Sequence, residues 1–208
     1  MKKFFFLVAA IIAIATSSAK AQINNGESYQ SVRVSYCNLD FKTSPKSDLK
    51  AINSGGVSYI KGWVSNHSIP LFFETGVGLS YAKGQIFNSE DYYTKYNLEA
   101  FALSAEVPLN LGVKLDFNEN LSVMPYAGLT ARFNFVGEIE AKTRTRYEED
   151  KADEDLRTLQ YGWQTGFMVV YDNISIGASY GVDFNDIYRE SFVDAKAKSI
   201  KLSVGFIF

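Results

Sequence analysis

The last ten residues of the chain alternate between apolar side chains and small or polar ones. Every even position of this stretch is apolar: Ile200, Leu202, Val204, Phe206 and Phe208. Ile207 is the one large apolar residue out of phase. Successive side chains of a β-strand point to opposite faces. The pattern therefore predicts a strand with one face suited to hydrocarbon and the other suited to water.

The first 21 residues have the three parts of a secretory signal peptide. Two of residues 1–3 are lysine, residues 4–15 are apolar, and Ala19, Lys20 and Ala21 form a small-x-small cleavage site. A helix that anchors a chain in a bilayer needs about 18 or more apolar residues, so residues 4–15 are too short for an anchor. We predict cleavage after Ala21, which leaves residues 22–208 as one mature domain.

The mature chain is acidic and contains a single cysteine. Removal of Lys2, Lys3 and Lys20 leaves 18 basic side chains against 23 acidic ones. Because binding to nucleic acid needs a basic surface, we expect no nucleic-acid partner. Cys37 has no second cysteine with which to form an intrachain disulfide, and it lies too far from the cleavage site to carry a lipid. We interpret it as a small side chain near a strand end.

Eight segments of the mature chain show the period of two that is typical of strands. They are residues 29–37, 56–65, 71–82, 96–117, 121–136, 158–171, 174–184 and 199–208. Most of them separate apolar residues on one face from small, polar or charged residues on the other. The second segment is ambiguous, because both of its faces mix the two kinds. In the fourth, Pro108 cannot donate to a strand ladder and is predicted to mark a bulge or bend.

The connections between these segments alternate in length. Short turns are expected at residues 66–70, 118–120 and 172–173, and long polar loops at residues 38–55, 83–95, 137–157 and 185–195. This asymmetry is typical of an outer-membrane barrel with both termini in the periplasm. The sequence thus predicts an all-β fold, a closed eight-stranded antiparallel transmembrane β-barrel with meander topology, in the outer membrane of a Gram-negative cell. We expect Phe208 to be the assembly signal for the barrel-assembly machinery.

The apolar face of the strands is predicted to point outwards, into lipid. A soluble eight-stranded barrel would instead hold its apolar side chains inside and expose its charges. In water, the apolar face of this sequence would be an aggregation hazard far beyond the exposed apolar patches that soluble proteins tolerate. In lipid, an open sheet would leave unpaired edge groups at a cost of several kcal/mol each, so the barrel must close.

Charged residues recur on the face that is predicted to line the lumen. They are Arg33, Glu74, Glu106, Lys114, Asp116, Arg132 and Lys201. Eight strands enclose only enough room for side chains. We therefore expect these residues to form a network of ion pairs across the lumen and not a conducting path. The sequence leaves open which acid meets which base.

No residue pattern indicates catalysis, a cofactor or a defined metal site. The only histidine, His67, lies in a predicted periplasmic turn, out of reach of any nucleophile that acts on outer-leaflet lipid. The acidic residues at 148–155 offer oxygen ligands that suit Ca²⁺ or cation-bridged lipopolysaccharide, but they lack the spacing of a calcium loop. We interpret this segment as a solvated charged loop and expect no enzymatic activity.

Three short stretches carry a family resemblance. They are Glu74-Thr75-Gly76-Val77-Gly78-Leu79-Ser80-Tyr81 before Lys83-Gly84, then Glu106-Val107-Pro108-Leu109, and Met124-Pro125-Tyr126-Ala127-Gly128. Together they resemble the outer-membrane protein β-barrel domain family, to which PorT-type barrels belong. The resemblance spans essentially the mature chain and implies the barrel fold. It implies no particular activity, and no motif selects the role of PorT-type barrels in protein secretion.

These observations lead to a hypothesis about function. We expect a non-enzymatic integral outer-membrane barrel with a filled polar lumen, which contributes to envelope integrity and presents four extracellular loops for surface interactions. Its expected partners are outer-membrane lipids and lipopolysaccharide. Two alternatives stay open: a narrow porin-like channel for small solutes or ions, and an accessory barrel of a protein-secretion system.

Overall fold

A computed structural model describes residues 23–44, 50–90, 94–145, 149–155, 157–186 and 194–208. The predicted signal peptide lies outside the described residues. The regular structure consists of strands β1 (Ser28–Ser44), β2 (Ile52–Val64), β3 (Leu71–Glu90), β4 (Thr94–Val113), β5 (Leu115–Asp116), β6 (Leu121–Thr145), β7 (Glu149–Asp155), β8 (Leu159–Tyr171), β9 (Ile174–Asp183) and β10 (Asp194–Ile207). Within these ranges no helix has the length and apolarity that a bilayer crossing needs.

The strands form one antiparallel sheet that closes on itself. Neighbours pair from β1 through β2, β3 and β4 to β6, and then through β8 and β9 to β10, which pairs back with β1. The two other strands are continuations, since β5 extends β4 along β6, and β7 pairs with the outer part of β6 ahead of β8. The barrel wall therefore consists of eight strand positions in meander order, and the predicted fold class is confirmed.

The barrel has two different ends. The turns at residues 65–70, 117–120 and 172–173 lie at one end together with the start of β1 and the end of β10, and we call it the short-turn end. The other end, which we call the long-loop end, carries the connections from β1 to β2, β3 to β4, β6 to β8 and β9 to β10. This is the alternation of short and long connections that the sequence predicts.

The strands are staggered around the barrel. A path from partner to partner that leaves β1 at Gln30 returns to β1 at Asp40 after passing Lys61, Thr75, Leu109, Leu129, Trp163, Val182 and Lys198. One circuit therefore advances ten residues along β1, from Gln30 to Asp40. Stagger and strand number together set the tilt and the diameter, and eight strands leave an interior that side chains can fill.

The outer face of the barrel is apolar. Leu111 on β4 and Val204 on β10, both predicted to face lipid, are 59% and 56% exposed. The ambiguity of the second segment is resolved as well, because Ile60 is buried inside the barrel whereas Trp63 faces outwards. The ammonium group of Lys61 lies 5.3 Å from the centroid of the Trp63 ring. Such a cation–π contact suits the boundary between lipid and water.

Strands extend beyond their predicted ends, mainly at the long-loop end. β1 reaches Ser44 instead of residue 37, β3 reaches Glu90 instead of residue 82, and β6 reaches Thr145 instead of residue 136. Much of residues 137–157, predicted as a loop, is a hairpin of β6 and β7. Beyond the hydrocarbon the outer face of a strand meets water, so the apolar outward pattern ends while the backbone pairing continues. Cys37, expected near a strand end, consequently lies within β1 and is buried.

Of the bulge or bend predicted at Pro108, the bulge is wrong. The pairing of β3 with β4 keeps one register on both sides of this proline. The register shifts instead between Gln85 and Phe87 of β3 and between Leu103 and Ser104 of β4. A proline removes a donor from the ladder but adds no residue to the strand, so it interrupts pairing without shifting the register.

Glycine makes room in the lumen for a large side chain. A Cβ atom added to Gly62 would lie 2.2 Å from Cζ of the Tyr29 ring. The ring cannot move aside, because Tyr29 is buried and its hydroxyl donates to Glu74 at 2.7 Å. At Gly55, on the same strand, the nearest atom to an added Cβ is the carbonyl oxygen of Ser35 at 4.0 Å. Gly55 and Gly62 therefore differ sharply in the space around them.

We predict that Gly62→Ala destabilises the barrel by about 1–3 kcal/mol, the usual cost of overpacking a core. Gly55→Ala is the matched control and should change the free energy of unfolding by less than about 1 kcal/mol. Equilibrium unfolding in urea, with the barrel reconstituted in phospholipid vesicles, measures both. Equal losses for the two variants would contradict the packing of Tyr29 against Gly62.

Candidate functional site

An apolar cluster occupies the short-turn end of the lumen. Its members, which we call the apolar plug, are Ile23, Tyr29, Val64, Phe72, Met124, Met168, Val170 and Ile207. Phe72, Met124 and Ile207 are at most 1% exposed. Ile207, the residue out of phase in the C-terminal pattern, thus faces inwards. Close packing of this kind resembles the core of a soluble protein and not the lining of an aqueous pore.

A buried ion pair lies against the plug. Glu74 on β3 accepts a hydrogen bond from the Tyr29 hydroxyl at 2.7 Å and pairs with the guanidinium group of Arg33 on β1. Both carboxylate oxygens take part, since Nη2 of Arg33 contacts Oε1 and Nη1 lies 3.3 Å from Oε2. This two-point geometry is the strong form of an ion pair. It offsets the cost of removing both charges from water.

Two further ion pairs lie farther along the lumen. Lys201 on β10 donates to Glu106 on β4. Arg132 on β6 donates from Nη1 to Oδ2 of Asp183 on β9 at 3.3 Å and to Oε1 of Gln160 at 3.2 Å. In each pair the two strands are not neighbours in the sheet. The pair of Lys201 and Glu106 therefore crosses the lumen between opposite strands, whereas the pair of Arg132 and Asp183 spans the intervening strand β8.

Neutral polar side chains continue this network. Ser104 donates to Asn134 at 2.6 Å, and Asn134 donates in turn to Gln160 at 3.3 Å. Gln164 donates to Asn110 at 2.6 Å. All five of these residues are buried. Buried polar groups are costly unless they are hydrogen-bonded, so the network satisfies groups that the sequence pattern places inside.

The structure brings most of the predicted lumen charges together, with two differences. Lys114 and Asp116 pair at 2.7 Å, but within one wall near a short turn, where the Asp116 side chain is 40% exposed. Asp183, the partner of Arg132, is missing from the predicted set. The sequence feature that could have identified Asp183 is its inward position in the alternation of residues 174–184, where it is the only charged residue. The functional role of these residues as a site stays a prediction.

A cavity of about 130 Å³ lies in the lumen beyond the plug. Part of its lining is polar and includes Arg33, Glu106, Arg132, Asn134, Gln160 and Lys201. Another part is apolar and includes Leu39, Phe41, Ile52, Ala82, Ala100, Ala102 and Ala197. The sequence prediction of a polar lumen did not anticipate this apolar part. Leu39, Phe41, Ile52 and Ala197 lie beyond the predicted strand ends, and the three other residues are alanines within predicted strands.

Other candidate residues are placed as follows. His67 is exposed in the turn between β2 and β3, and the free thiol of Cys37 lines the cavity. Of the acidic run at 148–155, residues 149–155 form β7 and residue 148 lies outside the described residues. In the described part of the chain, no group of three or more His, Cys, Asp or Glu side chains is arranged to hold a metal ion.

Phe208 lies at the seam where the sheet closes. Its N–H donates to the carbonyl of Gln30 at 2.9 Å, and the N–H of Gln30 donates to the carbonyl of Phe208 at 3.1 Å. The last residue of the chain is thus held by two backbone hydrogen bonds to the first strand. Its role as an assembly signal stays a prediction.

A closed eight-stranded barrel with an apolar outer face and charged groups inside is the architecture of an outer-membrane β-barrel protein. The chain belongs to the outer membrane protein beta-barrel domain family, whose model matches residues 6–208. The family resemblance is therefore confirmed, and with it an outer-membrane location. The PorT-type subtype and cleavage after Ala21 stay predictions.

Three solved structures are among those similar to this chain. Ail of Yersinia pestis, in complex with the heparin analogue sucrose octasulfate, is 16% identical, with 88% of this chain and 99% of that one covered and a TM-score of 0.46. Neisserial surface protein A is 14% identical, with coverages of 85% and 96% and a TM-score of 0.40. The N-terminal β-barrel domain of Pseudomonas aeruginosa OprF is 13% identical, with coverages of 88% and 100% and a TM-score of 0.35. No curated protein matches the chain.

We predict that Glu74→Gln destabilises the barrel by about 3–5 kcal/mol, because it leaves the Arg33 charge buried without a counter-charge. The control is Asp116→Asn, which removes a carboxylate that is 40% exposed and leaves the buried ammonium group of Lys114 with Asn25 as a hydrogen-bond acceptor. It should cost less, about 1–2 kcal/mol. Arg33→Met combined with Glu74→Gln should recover much of the loss, since no unpaired charge remains. Urea unfolding in phospholipid vesicles measures all three. A small loss for Glu74→Gln, equal to that of Asp116→Asn, would contradict a buried ion pair.

Proposed function

We propose that this protein is a non-enzymatic structural barrel of the outer membrane, which supports envelope integrity and presents its long-loop end to the exterior. The observation that carries the proposal is the packing of the plug, where Phe72, Met124 and Ile207 are at most 1% exposed. A cross-section packed to this degree leaves no water-filled path from one end to the other. A sealed barrel acts through the membrane around it and through its loops.

The outer surface supports the lipid partners in this proposal. Aromatic pairs lie on it, with Trp163 and Tyr180 edge to face at 6.0 Å and Trp63 and Phe73 stacked at 5.9 Å. Trp and Tyr prefer the level of the lipid headgroups, where an amphipathic ring meets both media. We propose outer-membrane lipids and lipopolysaccharide as the molecules that contact this surface.

The hairpin of β6 and β7 supports a role in surface interactions. Its register pairs Glu138 with Asp155 and Glu140 with Asp153. Six of the seven residues of β7 are charged. We propose that the hairpin, which extends the barrel wall at the long-loop end, serves contacts outside the membrane.

The second candidate function is a narrow channel. The cavity of about 130 Å³ favours it, because part of the lumen is already open. Conduction would require the plug to move, which is a change between two conformations and not a property of this one. A role in protein secretion has no comparable observation in its favour.

The channel and the sealed barrel differ in conductance. In planar bilayers we expect the wild-type protein to give no steady conductance steps. Phe72→Ala combined with Met124→Ala should give small steps, because it removes the bulk of the plug. Phe73→Ala is the matched control, since Phe73 is the next residue and faces lipid. Steady wild-type steps that disappear in Arg132→Met would contradict the sealed barrel and support the channel.

Envelope integrity is tested in cells. We expect a strain that lacks the protein to take up a hydrophobic dye faster and to survive detergent less well. The full barrel should restore both properties, and so should a variant in which a short turn replaces residues 138–155, because the sealed barrel is unchanged. Failure of the trimmed barrel to restore them, at equal amounts in the membrane, would assign integrity to the hairpin. No change on deletion would contradict the integrity role itself.

A further inference from the structure

The lumen cavity has an apolar side and a polar side. At the long-loop end of β1 to β4, Ile52, Ala82 and Ala100 are buried and pack with Leu39, Phe41 and Ala102. We call these six residues the apolar collar, and all of them line the cavity. The polar side chains of β6 and β8, with Arg132 and Gln160 among them, line it too.

The collar is unusual for its position. Elsewhere beyond the plug, inward-facing positions carry mainly glycine, serine, amide or charged side chains, which suit a wet lumen. The free energy falls when a hydrocarbon group displaces water from the apolar surface of a cavity. A cavity with one apolar side and one polar side matches a ligand that has both characters.

The charges of the cavity favour an anion. Its charged lining residues are three cations, Arg33, Arg132 and Lys201, and one carboxylate, Glu106. Glu74 and Asp183, which balance the two arginines, are absent from the lining. In addition, Nε of Arg33 is buried and has no hydrogen-bond partner within the described ranges. A buried N–H without an acceptor is rare in folded proteins, so this donor is open to an acceptor from outside the chain.

We propose that this cavity binds a small amphiphile with an anionic headgroup, of the class of short-chain carboxylates. The alkyl chain lies against the apolar collar, and the carboxylate accepts hydrogen bonds from the cationic side chains that line the cavity. An apolar cavity of about 150 Å³ holds benzene, so the present one suits a ligand of about six or seven non-hydrogen atoms. Because the plug fills the short-turn end, the ligand enters from the long-loop end.

The site can be observed through alanine methyl groups. Ala82, Ala100 and Ala102 lie in the collar, whereas Ala127 and Ala131 lie on the exposed outer face. The barrel is reconstituted in lipid nanodiscs, since detergents are themselves amphiphiles, and its alanine methyl NMR signals are followed. The probes are pentanoate, pentan-1-ol and pentylammonium at neutral pH. Signals of the outer face report any partition of a probe into lipid.

We expect pentanoate to shift the collar signals saturably and to leave those of the outer face unchanged. The alcohol and the ammonium ion should bind at least fivefold more weakly. Ala102→Phe, which fills the cavity, should abolish the shifts, whereas Ala105→Phe, on the lipid-facing side of the same strand, should preserve them. Lys201→Met combined with Glu106→Gln removes one cation without leaving an unpaired acid, and it should weaken pentanoate binding at least threefold.

Several outcomes overturn the proposal. They are equal binding of all three probes, shifts of the outer-face signals as large as those of the collar, and full binding by Ala102→Phe. Each variant is first checked for folding by its change in gel mobility on boiling. Should Ala102→Phe not fold, Ala100→Leu takes its place with the same expectation.

Discussion

The hydrogen bonds of the backbone dominate this structure, because hydrocarbon offers them no alternative partner. Each unpaired N–H or C=O group in the bilayer core costs several kcal/mol, so a sheet in lipid has to close. Closure occurs between β1 and β10, from Ser31 with Ile207 to Ser44 with Asp194. Once an eight-stranded sheet closes with a stagger of ten residues, from Gln30 to Asp40, the diameter of the barrel is set. Everything inside has to fit that width.

The interior meets this requirement by different means at different depths. At the short-turn end, apolar side chains pack as in a soluble core. Next to them, Glu74 and Arg33 pair with support from Tyr29, whose ring needs the space left by Gly62. Farther along, polar side chains and a cavity replace close packing. Charge in this low-dielectric interior is tolerated because each acid has its base, and breaking a pair costs more than the pair contributes.

Much of the fold could be predicted from the sequence, since lipid outside and polar groups inside impose a period of two. The eight main strands and the outward direction of Leu111 and Val204 follow from that contrast. The prediction failed where this contrast ends: the outer parts of β1, β3 and β6 no longer carry an apolar outward face, so the pattern used to place the strands does not extend to them. The predicted bulge at Pro108 also failed, because a proline lacks the N–H donor but does not insert an extra residue into the strand.

The lumen was less predictable than the wall. The alternation identified Arg33, Glu74 and Glu106 as inward-facing, but their partners lie on strands that are not neighbours and depend on the stagger, which no local pattern contains. The plug was missed for a related reason. Phe72 and Ile207 are apolar residues in an inward phase, and from the sequence alone each looks like an isolated irregularity. Only the closed sheet shows that such irregularities from several strands meet in one place.

The seam between the first and last strands has a consequence for how the molecule forms. Val34 pairs with Val204, near opposite ends of the chain, so the decisive contact has a very large sequence separation. Contacts of high order form slowly, because a long loop must be immobilised before they contribute. Until the final strand pairs, the other seven strands expose unpaired edges and apolar faces to their surroundings. The unpaired edges and apolar faces of the incomplete sheet are therefore the parts of the chain most prone to aggregation before closure.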